Sequence, residues 1–344
     1  MRFTTILKQF DYRFPLELIA QKPASPRDSA RLLVFNRTTK KKTSTTFRSL
    51  PNFLPSNALL VFNETKVIPA RIHVTKKTGG AVALLYLKTD GSTIRCLANK
   101  SLKEGEILTL SRNRSFRVTK RSGKEWILKP SFPIHELASI MKQYGSAPLP
   151  PYIKHSPLTE RERRREYQTI FAKHAGSIAA PTASLHFTKR LMSALKKRGI
   201  GITFVTLHVH LGTFAPLTEE QWKKGMLHTE EYAIPASAKR MIERAKKEKR
   251  PIIAIGTTVV RTLESASNTQ KKIIRTKGST DLFIREGYTF TMIDGLITNF
   301  HVPRSSLLML VSAFAGRETI MELYRDAIQK RYRLFSFGDG MLIV

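Results

Sequence analysis

The sequence predicts a mixed α/β architecture with a separate β-rich module, and three observations point there. Short β-rich segments separated by glycine turns fill positions 71–129, helix and strand patterns alternate from about residue 159 onward, and 41% of the 344 residues are apolar. A chain of this length buries a sizeable core without staples and divides into roughly two or three domains. The single cysteine, Cys96, has no intramolecular disulfide partner, and one thiol gives a structural zinc site little to stand on. A reducing, cytoplasmic setting follows.

Within the β-rich stretch, segments 72–75, 81–87, 93–97, 107–110, 116–119 and 126–128 are punctuated by Gly79-Gly80, Asp90-Gly91, Glu104-Gly105 and Ser122-Gly123. That spacing predicts a small barrel or sandwich. A short helix follows, with Ile134, Leu137, Ala138, Met141 and Tyr144 on one side and Gly145 at its end, before the proline-rich segment 148–152. Thr159 and Glu162 form a candidate capping box for a helix over 160–173. Helices over 188–198 and 237–249 and one starting near Thr258 alternate with strands over 202–211 and 252–255, which argues for a largely parallel sheet covered by helices. A hairpin is expected around Asp294-Gly295, and Ser305 or Ser306 is expected to cap an apolar helix ending near Ala315.

Several segments carry residues suited to chemistry. In the strand over 202–211, Val205, Leu207, Val209 and Leu211 share one face, and Thr206, His208 and His210 share the other. The two imidazoles are either a surface or hydrogen-bonded pair, or titratable groups at the carboxyl end of a strand beside Gly212-Thr213, where open α/β sheets place ligands. The turn Gly256-Thr257-Thr258 enters a helix bearing Arg261 and Glu264; its free amides either turn and cap the chain or hold an anion such as a ligand carboxylate. Stretches 180–188, 227–230 and 298–301 mix small and polar residues with His186, His228 and His301 near element ends, where functional groups gather. Neither a dinucleotide fingerprint nor a phosphate-loop sequence occurs.

The charge is the strongest compositional signal. Fifty-nine Lys and Arg face 26 Asp and Glu, a formal net charge of +33, and a field of that size favours a polyanionic partner, nucleic acid first. The basic clusters recur along the whole chain (40–42, 163–165, 196–198, 246–250, 271–277), so they decorate folded elements and form no single tail. The amino terminus lacks an export-type apolar core, and no run of about 18 apolar residues appears, so neither secretion nor a membrane span is expected.

Read together, the segments resemble the S-adenosylmethionine:tRNA ribosyltransferase-isomerase family of queuosine biosynthesis, nearly end to end. The matching pieces are Asp11-Tyr12 with 15–21, 26–32, 63–71, 149–153, 167–169, 180–188, 207–214, 228–230, 256–265, 280–284, 294–301 and 336–343. The family pattern has Asp where Glu64 stands and Gly where Ser184 and His210 stand. The resemblance implies an α/β main domain with a mixed sheet and flanking helices, residues 1–71 and 148–344, interrupted by an inserted small β-barrel, residues 72–147. It implies transfer and isomerisation of the ribosyl part of S-adenosylmethionine onto 7-aminomethyl-7-deazaguanine in tRNA, leaving epoxyqueuosine, adenine and methionine. S-adenosylmethionine is then a consumed co-substrate, with no metal or other cofactor and no stable protein partner implied.

That chemistry needs a base for the C5′ hydrogens acidified by the sulfonium, a proton for departing adenine, and a neutral attacking amine. His186, His208, His228 and His301 are the candidates, with Asp28 or Glu230 orienting them. Arg27, Arg31 and Arg71 are candidate clamps for the methionine carboxylate or for a phosphate of the anticodon stem-loop. Asn63, Thr182, Gly256, Thr257, Thr258, Arg261 and Asn299 complete the expected substrate-binding set. Two competing readings share the charge: an S-adenosylmethionine-dependent RNA methyltransferase, which lacks its usual glycine-rich loop here, and a non-catalytic basic tRNA- or rRNA-binding protein. The net charge predicts that apparent tRNA affinity falls steeply between low and moderate ionic strength in a filter-binding titration; a flat response contradicts the electrostatic argument.

Overall fold

The computed structural model describes residues 2–210 and 216–344. Two compact units emerge, one comprising Met1–Lys66, Pro150–Pro157 and Gln168–Val344, the other Val67–Leu149 and Leu158–Tyr167.

The first unit is built on a nine-stranded sheet in the order Lys277–Leu282, Met226–Ala233, Gly201–Leu207, Leu59–Asn63, Ile252–Ile255, Gly295–Asn299, Gly340–Ile343, Arg31–Phe35, Lys42–Thr46. The central strands read as continuous apolar runs because both faces are covered. Alternation sorts them: Leu32, Val34, Leu60, Phe62, Ile253, Ile255 and Leu342 pack on one side with Phe47, Phe187, Leu191 and Leu195. Leu33, Phe35, Leu59, Val61, Ala254, Met341 and Ile343 pack on the other with Val259, Leu263, Leu308 and Val311. Helix Lys189–Lys197 belongs to the first layer, and helices Thr257–Ala266 and Ser306–Ala315 to the second. The sheet is mixed. The four strands from Gly201–Leu207 to Gly295–Asn299 run parallel, while both edges of the sheet carry antiparallel pairs.

The second unit holds a closed antiparallel barrel of six strands: Arg71–Lys76, Ala81–Asp90, Thr93–Ala98, Glu125–Pro130, Arg114–Ser122 and Ile107–Ser111, the last pairing back with the first through Thr75 and Thr109. Closure removes the sheet edges. Alternate residues fill the interior, including Ile72, Val74, Val82, Leu84, Phe116, Val118 and Leu128, and helix Leu137–Tyr144 adds Leu137 and Met141. Gly91 (φ 58°) and Gly123 (φ 59°) supply the left-handed backbone at two hairpin tips. Cys96 lies inside, where burial pushes its thiol up to about 12 and leaves it unreactive. The capping box at Thr159 and Glu162 forms as expected.

Four expectations are corrected. The sheet is not largely parallel, because Gly340–Ile343 runs antiparallel to Gly295–Asn299 and the edge strands fold back. No hairpin forms at Asp294-Gly295. The Asp294 carboxylate instead accepts from the Ile252 amide (2.8 Å) and Lys246 (3.0 Å), and a Cβ at Gly295 would stand 2.5 Å from Ile253 Cδ1, so this glycine serves close strand packing. The strand over 202–211 stops at Leu207, because side chains then take over the ladder: Val209 N–H donates to Ser177 Oγ (2.8 Å) and His210 N–H to Glu230 Oε1 (3.0 Å). Leu211, Gly212 and Thr213 lie outside the described residues. Finally, the helix over 160–173 ends at Glu166, where Tyr167 turns inward and is buried.

The central placement of Leu60, fully buried on a middle strand, predicts that Leu60→Ala costs about 2–5 kcal/mol in urea unfolding. Lys66→Ala, at an exposed position, stays within about 0.5 kcal/mol. A Leu60→Ala loss as small as that of Lys66→Ala contradicts the packing described.

Candidate active site

Strands Leu59–Asn63, Gly201–Leu207, Ile252–Ile255 and Gly295–Asn299 are mutually parallel, so their carboxyl ends share one edge, the place where open α/β sheets bind ligands. Asn63, fully buried, ties these ends together. Its Oδ1 accepts from the Leu207 and Thr65 amides (3.1 Å each), and its Nδ2 donates to Leu207 O (3.0 Å) and Thr258 Oγ1 (3.2 Å).

Beside this knot opens a cleft. Its walls come from Thr182 and Ala183, from residues 256–258, from residues 298–302, from Ser305 and Leu307, and from Tyr152, Phe335 and Ser336. Gly256, at φ 96°, turns the strand end into helix Thr257–Ala266, and its amide donates to Ile297 O at 2.8 Å. A second helix, Ser306–Ala315, starts at the same cleft with Ser305 accepting from the Leu308 amide. Two positive helix ends therefore face one space. No Asp, Glu, Lys or Arg lines it among the described residues.

One of the four candidate histidines, His301, lines this cleft, and a second, His186, stands behind Asn299. His301 is largely buried and bonded through Nε2 to Thr298 Oγ1 at 2.8 Å; its amide donates to the Tyr324 hydroxyl (2.8 Å), and its carbonyl accepts from the Tyr12 hydroxyl. Burial pushes its imidazole down to about 3. His186 lies at the end of the turn Thr182–His186, stacked on Phe47 with ring centroids 4.0 Å apart, and its Nε2 is 3.3 Å from Asn299 Nδ2. Burial, reinforced by the positive charges of Arg333 and Arg27, pushes it down to about 3 as well. Both rings are neutral at physiological pH.

The other candidates lie elsewhere. His208 bonds Thr65 Oγ1 through Nδ1 (2.8 Å), and its ring occupies the space a Cβ on Gly176 would fill; it faces a groove with Glu231, Tyr232 and Lys277. Burial first, then His210 and His174, lower its pKa. His228 is exposed on strand Met226–Ala233. Glu230 and Arg261 form a buried ion pair, and Arg261 also donates to Leu282 O (3.2 Å) and Thr280 O (3.3 Å), which clamps the helix to two strands.

Asp28 is fully buried and holds Arg190 (2.8 Å) and the Thr188 hydroxyl (2.8 Å). Burial alone raises its carboxyl, and these partners, with Arg48, hold it below the ordinary range. Arg27 donates to Gln168 O (2.6 Å); Arg31 donates to Lys330 O (2.7 Å) and stacks over Tyr332. Arg71 belongs to the barrel unit and donates to Leu149 O (2.9 Å). Of the three positions departing from the family pattern, Ser184 buries a hydroxyl without a hydrogen-bond partner, Glu64 stands 3.5 Å from His174, and His210 is anchored through its amide to Glu230.

Tyr152, Phe335 and Ser336 were not singled out by sequence reasoning. The Tyr152 hydroxyl and Ser336 Oγ are 2.7 Å apart, the Tyr152 and Phe335 rings are 5.0 Å apart, and Phe335 adopts φ 68°, unusual for a bulky residue. The proline-rich stretch 148–152 and the carboxyl-terminal segment were signals of a kind, but nothing local marks a phenylalanine for a left-handed turn.

The chain is similar to known proteins over nearly its whole length. Residues 7–343 match the family model described as "Queuosine biosynthesis protein". The chain is 44% identical to S-adenosylmethionine:tRNA ribosyltransferase-isomerase of Carboxydothermus hydrogenoformans, with 98% of this chain and 99% of the relative covered. It is 42% identical to the protein of that name from Thermotoga maritima, with 98% and 99% covered. Among solved structures, the S-adenosylmethionine tRNA ribosyltransferase of Thermotoga maritima superposes with a TM-score of 0.57 at 34% identity, covering 98% of this chain and 100% of the other. With a mixed α/β sheet, an inserted closed barrel and matches spanning both, the chain belongs to the queuosine biosynthesis family of S-adenosylmethionine:tRNA ribosyltransferase-isomerases.

Proposed function

We propose that this chain transfers and isomerises the ribosyl part of S-adenosylmethionine onto 7-aminomethyl-7-deazaguanine in tRNA, giving epoxyqueuosine in tRNA with release of adenine and methionine. The observation that carries the reading is one uncharged cleft at the carboxyl ends of four parallel strands, assembled from segments far apart in the chain that each fall within the family match. Family membership supports the reaction, and the cleft is the place proposed for it.

The chemistry asks for proton acceptors and donors that are uncharged at the start and shielded from water. His301, in the wall and aligned by Thr298, is the group assigned to proton transfer; His186, one hydrogen bond behind Asn299, acts as a positioning residue. Asn63 and the 256–258 turn hold the strand ends that shape the cleft. The target base must leave its stack to reach such a cleft, which suits an anticodon loop, and the +33 charge draws the tRNA in. A cytoplasmic location accompanies this reading, and no helix of the described residues is long and apolar enough to cross a membrane.

Incubating the protein with S-adenosylmethionine and tRNA bearing the aminomethyl-deazaguanine is expected to release adenine and methionine in step with modified tRNA. Release of S-adenosylhomocysteine, or no small-molecule product while tRNA binds, contradicts the reading. Replacing the wall histidine in His301→Ala lowers kcat by about 10²–10⁴-fold, whereas His228→Ala, at an exposed position, stays near wild type; an equal loss at both contradicts the assignment.

The two buried rings also predict a pH dependence of stability. In the unfolded chain each titrates near 6.5, and in the folded chain near 3. Below pH 6.5 the unfolded state takes up protons that the folded state refuses, so stability is complete above 6.5 and falls with acidification at about 1.4 kcal/mol per pH unit per histidine. Denaturant unfolding between pH 7 and 4 is expected to show a shallower loss for His186→Gln and His301→Gln than for the unsubstituted protein; parallel curves contradict the burial assigned to them.

A further inference from the structure

Asn299 carries a buried polar atom that the fold leaves unused. The residue lines the cleft and is 3% exposed. Its Nδ2 donates to Phe335 O (3.2 Å) and Asp339 O (3.4 Å), two carbonyls that accept only from the nitrogen edge of the amide and so fix which way it points. The opposite edge carries Oδ1, and this oxygen has no hydrogen-bond partner. An orphaned buried acceptor is destabilising, and a donor arriving with a ligand recovers that cost.

Its surroundings narrow the kind of donor. Asn299 stands two residues beyond Ile297, whose carbonyl receives the Gly256 amide, so it is next to the start of helix Thr257–Ala266. Val259 and Val260 already bond Gly256 O, and the Thr257 and Thr258 amides precede any intrahelical partner. Helix Ser306–Ala315 opens on the same cleft through Ser305 and Leu307. A lone acceptor flanked by two positive helix ends complements a group that is cationic at one atom and anionic about two bonds away. That pattern is an α-amino-acid zwitterion.

Resting on the function proposed above, we infer that the methionine head of the donor binds at this end of the cleft, its α-ammonium on Asn299 Oδ1 and its carboxylate on the first-turn amides of helix Thr257–Ala266. The sulfonium and ribose then extend past His301. The carboxylate needs no arginine in this arrangement, because helix ends bind anions without one.

Binding of three donors to the full-length protein, measured by isothermal titration, tests the inference: S-adenosylmethionine, its analogue without the α-amino group, and its analogue with purine in place of adenine. For the unsubstituted protein the deaminated analogue is expected to bind about 10- to 100-fold more weakly, the range of a hydrogen bond to a charged group, and the purine analogue nearly as well as the natural donor. In Asn299→Ala and Asn299→Leu the penalty for losing the amino group disappears. Equal binding of natural and deaminated donors by the unsubstituted protein overturns the inference whether or not the variants fold. So does a penalty confined to the purine analogue, which assigns Asn299 to the adenine amino group. Failure of the unsubstituted protein to bind any of the three contradicts the proposed function itself and takes this inference with it.

Discussion

One side chain, Asn63, sets the geometry on which the cleft depends. Its amide closes four hydrogen bonds onto the ends of two neighbouring elements and its own turn. A parallel sheet has no tight turns to fix the relative heights of its strands, so a buried side chain that bonds both the neighbouring strand end at Leu207 and the helix start at Thr258 does that work. Heights fixed in this way bring the turn at Gly256 and the segment from Thr298 to Val302 into one wall. Asn299 repeats the device on the other side, holding the carboxyl-terminal segment through Phe335 O and Asp339 O.

Among the described residues no Asp, Glu, Lys or Arg lines the cleft, in a protein of net charge +33. The basic side chains act at long range on a polyanion and fall off with salt. Inside, the fixed dipoles of two helix ends and the neutral imidazole of His301 replace them. An arginine in such a wall would be costly to desolvate and would disfavour a sulfonium beside it. Among the buried charged groups, Glu230 is paired with Arg261 and Asp28 with Arg190, and these pairs hold elements together.

Much of this was legible in the sequence, for physical reasons. The barrel announced itself through period-two alternation and glycine turns, and the caps at Thr159 and Ser305 through the local chemistry of a helix start. Local patterns failed where a distant residue decided the outcome. Strand Gly201–Leu207 ends because Ser177 and Glu230 capture the amides that follow it. Asp294-Gly295 has a turn's composition but serves a close strand contact. Asp28 looked like an orienting carboxylate and instead closes an ion pair with a residue far along the chain. Of the residues that line the cleft, Thr182, Asn299 and His301 were expected from the sequence because each sits at an element end, and Tyr152 and Phe335 were not, because aromatic residues in a wall look like core.

On the reading proposed above, the carboxyl-end cleft, and not the groove beside His208, receives the donor. A crystal structure of the protein with S-adenosylmethionine bound tests it most directly. Donor density is expected between Thr257 and His301, in contact with Asn299. Density lying instead against His208, Glu231 and Lys277 would contradict it.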